Sequence, residues 1–144
     1  MSEIKSCYIA GPYTAPTQPR ENANILNAAE VAAEYIKKGW ACFCPHTHSA
    51  IIDQEFNKDK KITYYDWLTL DLYWLAKCDV VVFLPGWEES KGATIEHVAA
   101  KNQGKEICYL DESFMDGLRQ KWMWGQTTPP LKQGASCGED VNGR

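Results

Sequence analysis

The 144-residue sequence has no apolar run long enough to span a bilayer, no block of lysine and arginine, and neither of the glycine spacings that commonly hold nucleotide phosphates. Each absence removes a class of function. Without a spanning segment or an apparent signal peptide, the chain is expected to act in the cytoplasm and away from a membrane. With 15 Lys and Arg against 19 Asp and Glu, the formal net charge is −4, and the basic stripe needed for a nucleic-acid polymer is missing. Without GxxxxGK[ST] or GxGxxG, a P-loop triphosphatase and a nicotinamide-dependent enzyme are both disfavoured. The six cysteines lie mostly inside apolar runs and lack paired CxxC spacing, so they read as reduced core residues. The alternating Cys42, Cys44, His46 and His48 are therefore assigned no metal, and no cofactor is called for. No internal repeat is present.

The residues that are there describe one α/β unit. The most informative stretch is Cys78 to Gln103. Val80 to Leu84 is an unbroken apolar run suited to a strand buried on both faces of a parallel sheet, and Pro85-Gly86 ends it. Ser90 then stands where an N-cap belongs, ahead of Ala93, Ile95, Val98, Ala99 and Ala100 at helical spacing. The same alternation runs through the rest of the chain. Ile4–Ala10 predicts a first strand broken by Gly11, Asn24–Lys38 a helix, and Trp40–Cys44 a second strand. His46–Lys61 has no clear period and reads as a long loop, with at most a short helix. Asp66–Lys77 is a strongly apolar helix with Asp66 as its N-cap, Ile107–Leu110 a last strand, and Phe114–Trp124 a further helix. The expected fold is a single-domain, doubly wound parallel sheet of four or five strands, Rossmann-like or flavodoxin-like, with helices on both faces. The domain proper is placed at residues 1–112. Residues 113–144 are expected to form a C-terminal helix and a poorly structured tail, in which Trp122 and Trp124 could cover an oligomer interface. The apolar helix carrying Trp67, Leu70 and Trp74 points the same way, to a homodimer or larger assembly.

In such sheets ligands sit beyond the carboxyl ends of the strands, and the residues expected there bear chemistry. Glu96 lies one turn into the helix that follows the central strand, where the positive helix start would help keep it ionised. Asp71 stands among Leu70, Leu72 and Trp74, where a carboxylate must face a polar cleft or be desolvated at a cost. Two such carboxylates across one cleft are the arrangement of glycosyl chemistry. Ser90, Gly92 and their neighbours offer helix-start amides to an anion. Gly11 lets backbone approach a ligand, and His46 ends the second strand facing the cleft. Tyr8, Tyr13 and Trp87 lie near strand ends, where aromatic rings can line a base or sugar pocket. Asp79, directly ahead of the central strand, reads as structural.

Five segments in order, YIAGPYT at Tyr8–Thr14, the helix from Asn24, the CPH at His46, DLYWLAKCDVVV from Asp71 and SKGATIE at Ser90–Glu96, together resemble the nucleoside 2-deoxyribosyltransferase superfamily over roughly residues 4–110. The resemblance implies an N-glycosidic enzyme in which Glu96 attacks C1′ of the sugar, Asp71 assists at base and sugar, and Tyr8 and Gly11 belong to the first substrate loop. Serine at position 90 resembles the branch that hydrolyses nucleoside 5′-monophosphates, whereas the transferases tend to have an acidic residue there. The hydrolases' glycine- and arginine-rich first loop is replaced by GPYTAPTQPR, which leaves Arg20 as the phosphate cation. The expectation is a nucleotide N-glycosidase. Its alternatives are a deoxyribosyltransferase and a nucleotide-binding module without turnover.

Overall fold

Val80, Val81, Val82 and Phe83 are all fully buried and form strand β3 (Val80–Phe83), the inner strand expected from its apolar run. In the computed structural model, which describes residues 3–124 and side chains to residue 120, β3 pairs in parallel with β1 (Ser6–Ala10) and β4 (Glu106–Tyr109). Strand β2 (Ala41–Phe43) pairs in parallel with the other edge of β1, giving the order β2-β1-β3-β4. The chain reverses its direction of winding between β1 and β3. A ligand cleft is expected beyond the carboxyl ends of these two strands.

Alternating side chains feed two cores. Cys7, Ile9, Val80 and Val82 pack with Val31 and Tyr35 of α1 (Gln18–Lys37) and with Phe114, Met115 and Leu118 of α5 (Glu112–Trp124). Tyr8, Ala10, Val81 and Phe83 face Leu75 of α3 (Tyr64–Lys77) and Ala100 of α4 (Lys91–Asn102). Asp79 clamps the amino ends of β1 and β3: its Oδ2 accepts from the Ser6 amide at 2.9 Å, and its own amide donates to Ser6 Oγ at 2.9 Å. The fold is therefore the doubly wound α/β sheet expected, with four strands.

Three local readings are corrected. Residues 45–56 form a helix, α2 (Pro45–Phe56), where a loop was expected. Its buried residues are Pro45, His46, Ser49 and Ala50, while Ile51 and Phe56 are exposed, so the apolar periodicity that announces a helix is scrambled. Pro45, at the first helical position, fixes the start. Helix α1 begins six residues before Asn24, because Thr17 caps it by accepting from the Arg20 amide at 3.3 Å and Pro19 fits the first turn. The N-cap of α3 is Thr63; Asp66 is the third helical residue, and its carboxylate accepts from the Thr63 amide at 2.7 Å in a capping box. The tail from Gly125 and the Trp122 and Trp124 side chains lie outside the described residues.

Candidate active site

The carboxyl ends of β1 and β3 meet so closely that a Cβ on Gly11 would stand 2.9 Å from the Cβ of Leu84. Glycine at this position is thus required by the packing of strand ends, besides exposing backbone to the cleft. Beyond it lies a cavity of about 310 Å³, within the range of small-ligand sites. Gly11, Asp71, Ser90, Gly92 and Glu96 all line this cavity, as do Tyr13 and His46.

Each of these side chains is placed by a different element. Glu96 is the sixth residue of α4 and is only 6% exposed. Tyr8, fully buried on β1, donates its hydroxyl to Glu96 Oε2 from below. Asp71 projects from α3, and its Oδ1 is buried without a hydrogen-bond partner. Ser90 caps α4, its Oγ accepting from the Ala93 amide at 3.2 Å, and a Cβ on Gly92 would meet nothing within 4 Å. His46 is buried in the first turn of α2, with Nε2 2.9 Å from the Pro12 carbonyl oxygen. A carbonyl only accepts, so Nε2 carries the proton and Nδ1 is a bare acceptor. Tyr13 packs 5.6 Å from the His46 ring, and its hydroxyl has no partner.

Three expected site residues lie off the cavity: Tyr8, fully buried on β1, reaches it only through its hydrogen bond to Glu96, and two others lie elsewhere. Gly86 adopts a left-handed φ of 87°, which turns the chain into the single 3-10 turn Trp87–Glu89 and lays Trp87 back on the sheet. There its ring packs 5.0 Å from Phe83 and 4.3 Å from His97, away from the cavity. Arg20, exposed on the first turn of α1, lines a separate groove of about 1050 Å³ that meets the cavity at Thr14 and Ser90. Trp67, expected to offer surface to a partner, lines the cavity instead and donates its indole N–H to Asp53 Oδ1 at 3.2 Å. Sequence reasoning missed Asp53 and Asn57, which line the cavity from α2 and its end, because α2 itself was hidden.

A family model described as a domain of unknown function, DUF4406, matches residues 5–109. The chain belongs to the DUF4406 family. No curated protein matches it. The matched span of this DUF4406 domain runs from the start of β1 to the last residue of β4 and contains Tyr8, Gly11, Asp71, Ser90 and Glu96. Among the described residues, no helix is long and apolar enough to cross a membrane.

The electrostatics of the site depart from expectation at Glu96. A helix start favours a negative charge only within its first turn, and Glu96 lies beyond it. Burial dominates instead and pushes the carboxyl up to about 8, with the Tyr8 hydrogen bond pulling the other way and the nearby Asp71 charge adding to the rise. Burial also pushes Asp71 up to about 7. The folded domain thus keeps protons that the unfolded chain, with carboxyls at 3.8 and 4.5, has already released. Stability from this source is present below the unfolded values and is lost as pH rises toward 8. The wild-type Tm should therefore fall between pH 5.5 and pH 8, and Glu96→Gln should flatten that fall and raise the Tm at pH 8 by roughly 3–5 °C. Thermal melts across this window check it; an unchanged slope in the variant would place the dependence elsewhere.

Proposed function

We propose that this DUF4406 domain is an N-glycosidase that cleaves the bond between base and (2-deoxy)ribose in a nucleoside 5′-monophosphate. The observation that carries the proposal is the convergence of the Glu96 and Asp71 carboxyl groups on one cavity, with the Tyr8 hydroxyl holding Glu96 in place. The Glu96 carboxylate attacks C1′, the C1′–N bond breaks, and its electron pair leaves on the base, which takes a proton from Asp71. A glycosyl ester on Glu96 results. Water, giving its proton to the Asp71 carboxylate, then adds at C1′ as the bond to Glu96 breaks, and the sugar phosphate departs with both carboxyl groups restored. Two buried carboxyls pushed up to about 7 and about 8 share protons near neutral pH, which suits a pair that must supply one nucleophile and one acid. Incubation with a panel of nucleosides and 5′-monophosphates, followed by chromatography for free base, tests the activity. Exchange of an added free base into the product would make the domain a transferase, and binding without base release would reduce it to a binding module.

Ser90 supports the phosphate. Its Oγ accepts from the Ala93 amide, which leaves its own proton to donate, and the Lys91 and Gly92 amides, at positions without an intrahelical partner, lie beside it. Ser90 also lies where the cavity meets the outer groove that Arg20 and Lys91 line. A phosphate there has room beside these two cations, although Glu89 lines the same groove. Ser90→Asp keeps a good helix cap but brings a charge that repels phosphate and accepts from an uncharged 5′-hydroxyl. One lost charge-assisted hydrogen bond, about 1.5–3 kcal/mol, changes specificity by roughly tenfold or more. The ratio of kcat/KM for a monophosphate to that for its nucleoside should exceed one in the wild type and fall at least that far in the variant. A wild-type ratio below one removes the phosphate role.

A further inference from the structure

Helix α2 presents His46, Ser49 and Asp53 at helical intervals, and α3 presents Tyr64, Trp67, Leu68 and Asp71 in the same way, so each helix gives one stripe to the cavity. The two stripes are fastened together at Asp53. Its Oδ1 accepts from the Trp67 indole N–H at 3.2 Å and from Asn57 Nδ2 at 2.8 Å. Asn57, 1% exposed, is itself locked, donating to the Ile62 carbonyl at 2.9 Å and accepting from the Ile62 amide at 2.9 Å. The Asp53 carboxylate is therefore fixed in orientation, while its Oδ2 makes no hydrogen bond among the described residues. Trp67 lies one turn from Asp71 along α3, about 6 Å. Asp53 thus lines the same cavity as the Asp71 and Glu96 carboxyl groups, from the neighbouring helix.

Open donors and acceptors both line the cavity, but the atom that this hydrogen-bond network orients, Asp53 Oδ2, can only accept. Asp71 Oδ1, His46 Nδ1 and the Tyr13 hydroxyl are buried and unpartnered, Lys60 also lines the cavity, and half-buried Asp53 adds its free Oδ2. A carboxylate fixed in this way needs a ligand group that brings a donor. Sugar hydroxyls can serve Asp71, whereas a carbonyl placed against the Asp53 carboxylate would leave two acceptors face to face. Resting on the N-glycosidase reading, we propose that Asp53 is the specificity-determining residue for the base, and that the site takes a 4-aminopyrimidine or 6-aminopurine in preference to its oxo counterpart. The exocyclic amine donates to Asp53 Oδ2, and the base lies between the two helix stripes.

Equilibrium binding in a Glu96→Gln background, where ligand is not consumed, tests this with two amino and oxo pairs: CMP against UMP and AMP against IMP, in the ribo and deoxyribo series. The amino member of at least one pair should bind tenfold or more tightly than its oxo partner. Asp53→Asn is the decisive variant. Asn57 and Trp67 should hold its amide oxygen where Oδ1 was, so its NH₂ takes the place of Oδ2 and donates into the cavity. The preference should then reverse toward the oxo base. Equal affinities within both pairs before this change would overturn the inference, as would a ratio that Asp53→Asn leaves unaltered while its Tm shows it folded. Binding of no nucleotide at all would overturn the N-glycosidase reading and the inference with it, an outcome distinct from the other two.

Discussion

Glu96→Ala is expected to lower base release by at least about a thousandfold, because a covalent route has no first step without its attacking carboxylate. Nucleotide binding should survive, since the ligand's other contacts, at Ser90, Asp71 and the helix stripes, remain. Removing a carboxyl that burial holds near 8 also relieves a desolvation cost, so the variant should melt no lower than a cavity of this size would dictate. A second readout separates a nucleophile from a merely structural carboxylate. Azide is small enough to enter the space vacated by the side chain and attack C1′ from the same side, so it should restore base release and yield a glycosyl azide. Near-normal turnover in the variant, or loss of turnover together with loss of binding and no azide product, would remove Glu96 from the nucleophile's role.

The parts of this fold that were legible in the sequence are those in which burial and local chemistry agree. The Val80–Phe83 run reads as an inner strand because it is buried on both faces, and Ser90 reads as a cap because a hydroxyl at that position satisfies the Ala93 amide. Asp71 was legible for the opposite reason, a charged side chain inside an otherwise apolar helix, and Glu96 by its place one turn into the helix that follows the inner strand. Helix α2 was not legible, because its buried face carries Ser49, His46 and Pro45 while Ile51 and Phe56 face outward. That inversion follows from its place in the fold, since its inner face lines a cavity shared with Asp71 and Glu96. With α2 unread, Asp53 had no face and no neighbours, and Trp67 had no partner to draw it inward. Trp87 failed through the backbone. A left-handed Gly86 decides where its ring goes, and the sequence offers a glycine without its φ.

Asp71→Asn should also be slow, and the size of its defect should depend on the base. A poor leaving group departs with its electron pair only if a proton arrives with it, and a positioned acid contributes roughly 10²–10⁴-fold to such a step. An activated base, electron-poor or already cationic as in a 7-methylpurine, leaves without that proton. The amide preserves the size of Asp71 and its place in the cavity but has no acidic proton to give. Base release from an ordinary nucleotide should therefore fall about a hundredfold or more, while release of the activated base falls by less than about tenfold. The pH profile supplies an independent check. With the pair pushed up to about 7 and about 8, wild-type kcat/KM should be bell-shaped near neutrality, declining on the acid side as the nucleophile gains a proton and on the alkaline side as the acid loses one. In Asp71→Asn the decline at alkaline pH should vanish, because no acid remains to be deprotonated, and a single limb set by Glu96 alone should be left. Equal losses for ordinary and activated bases, with the bell intact, would make Asp71 a binding residue and leave the departure of the base to another donor.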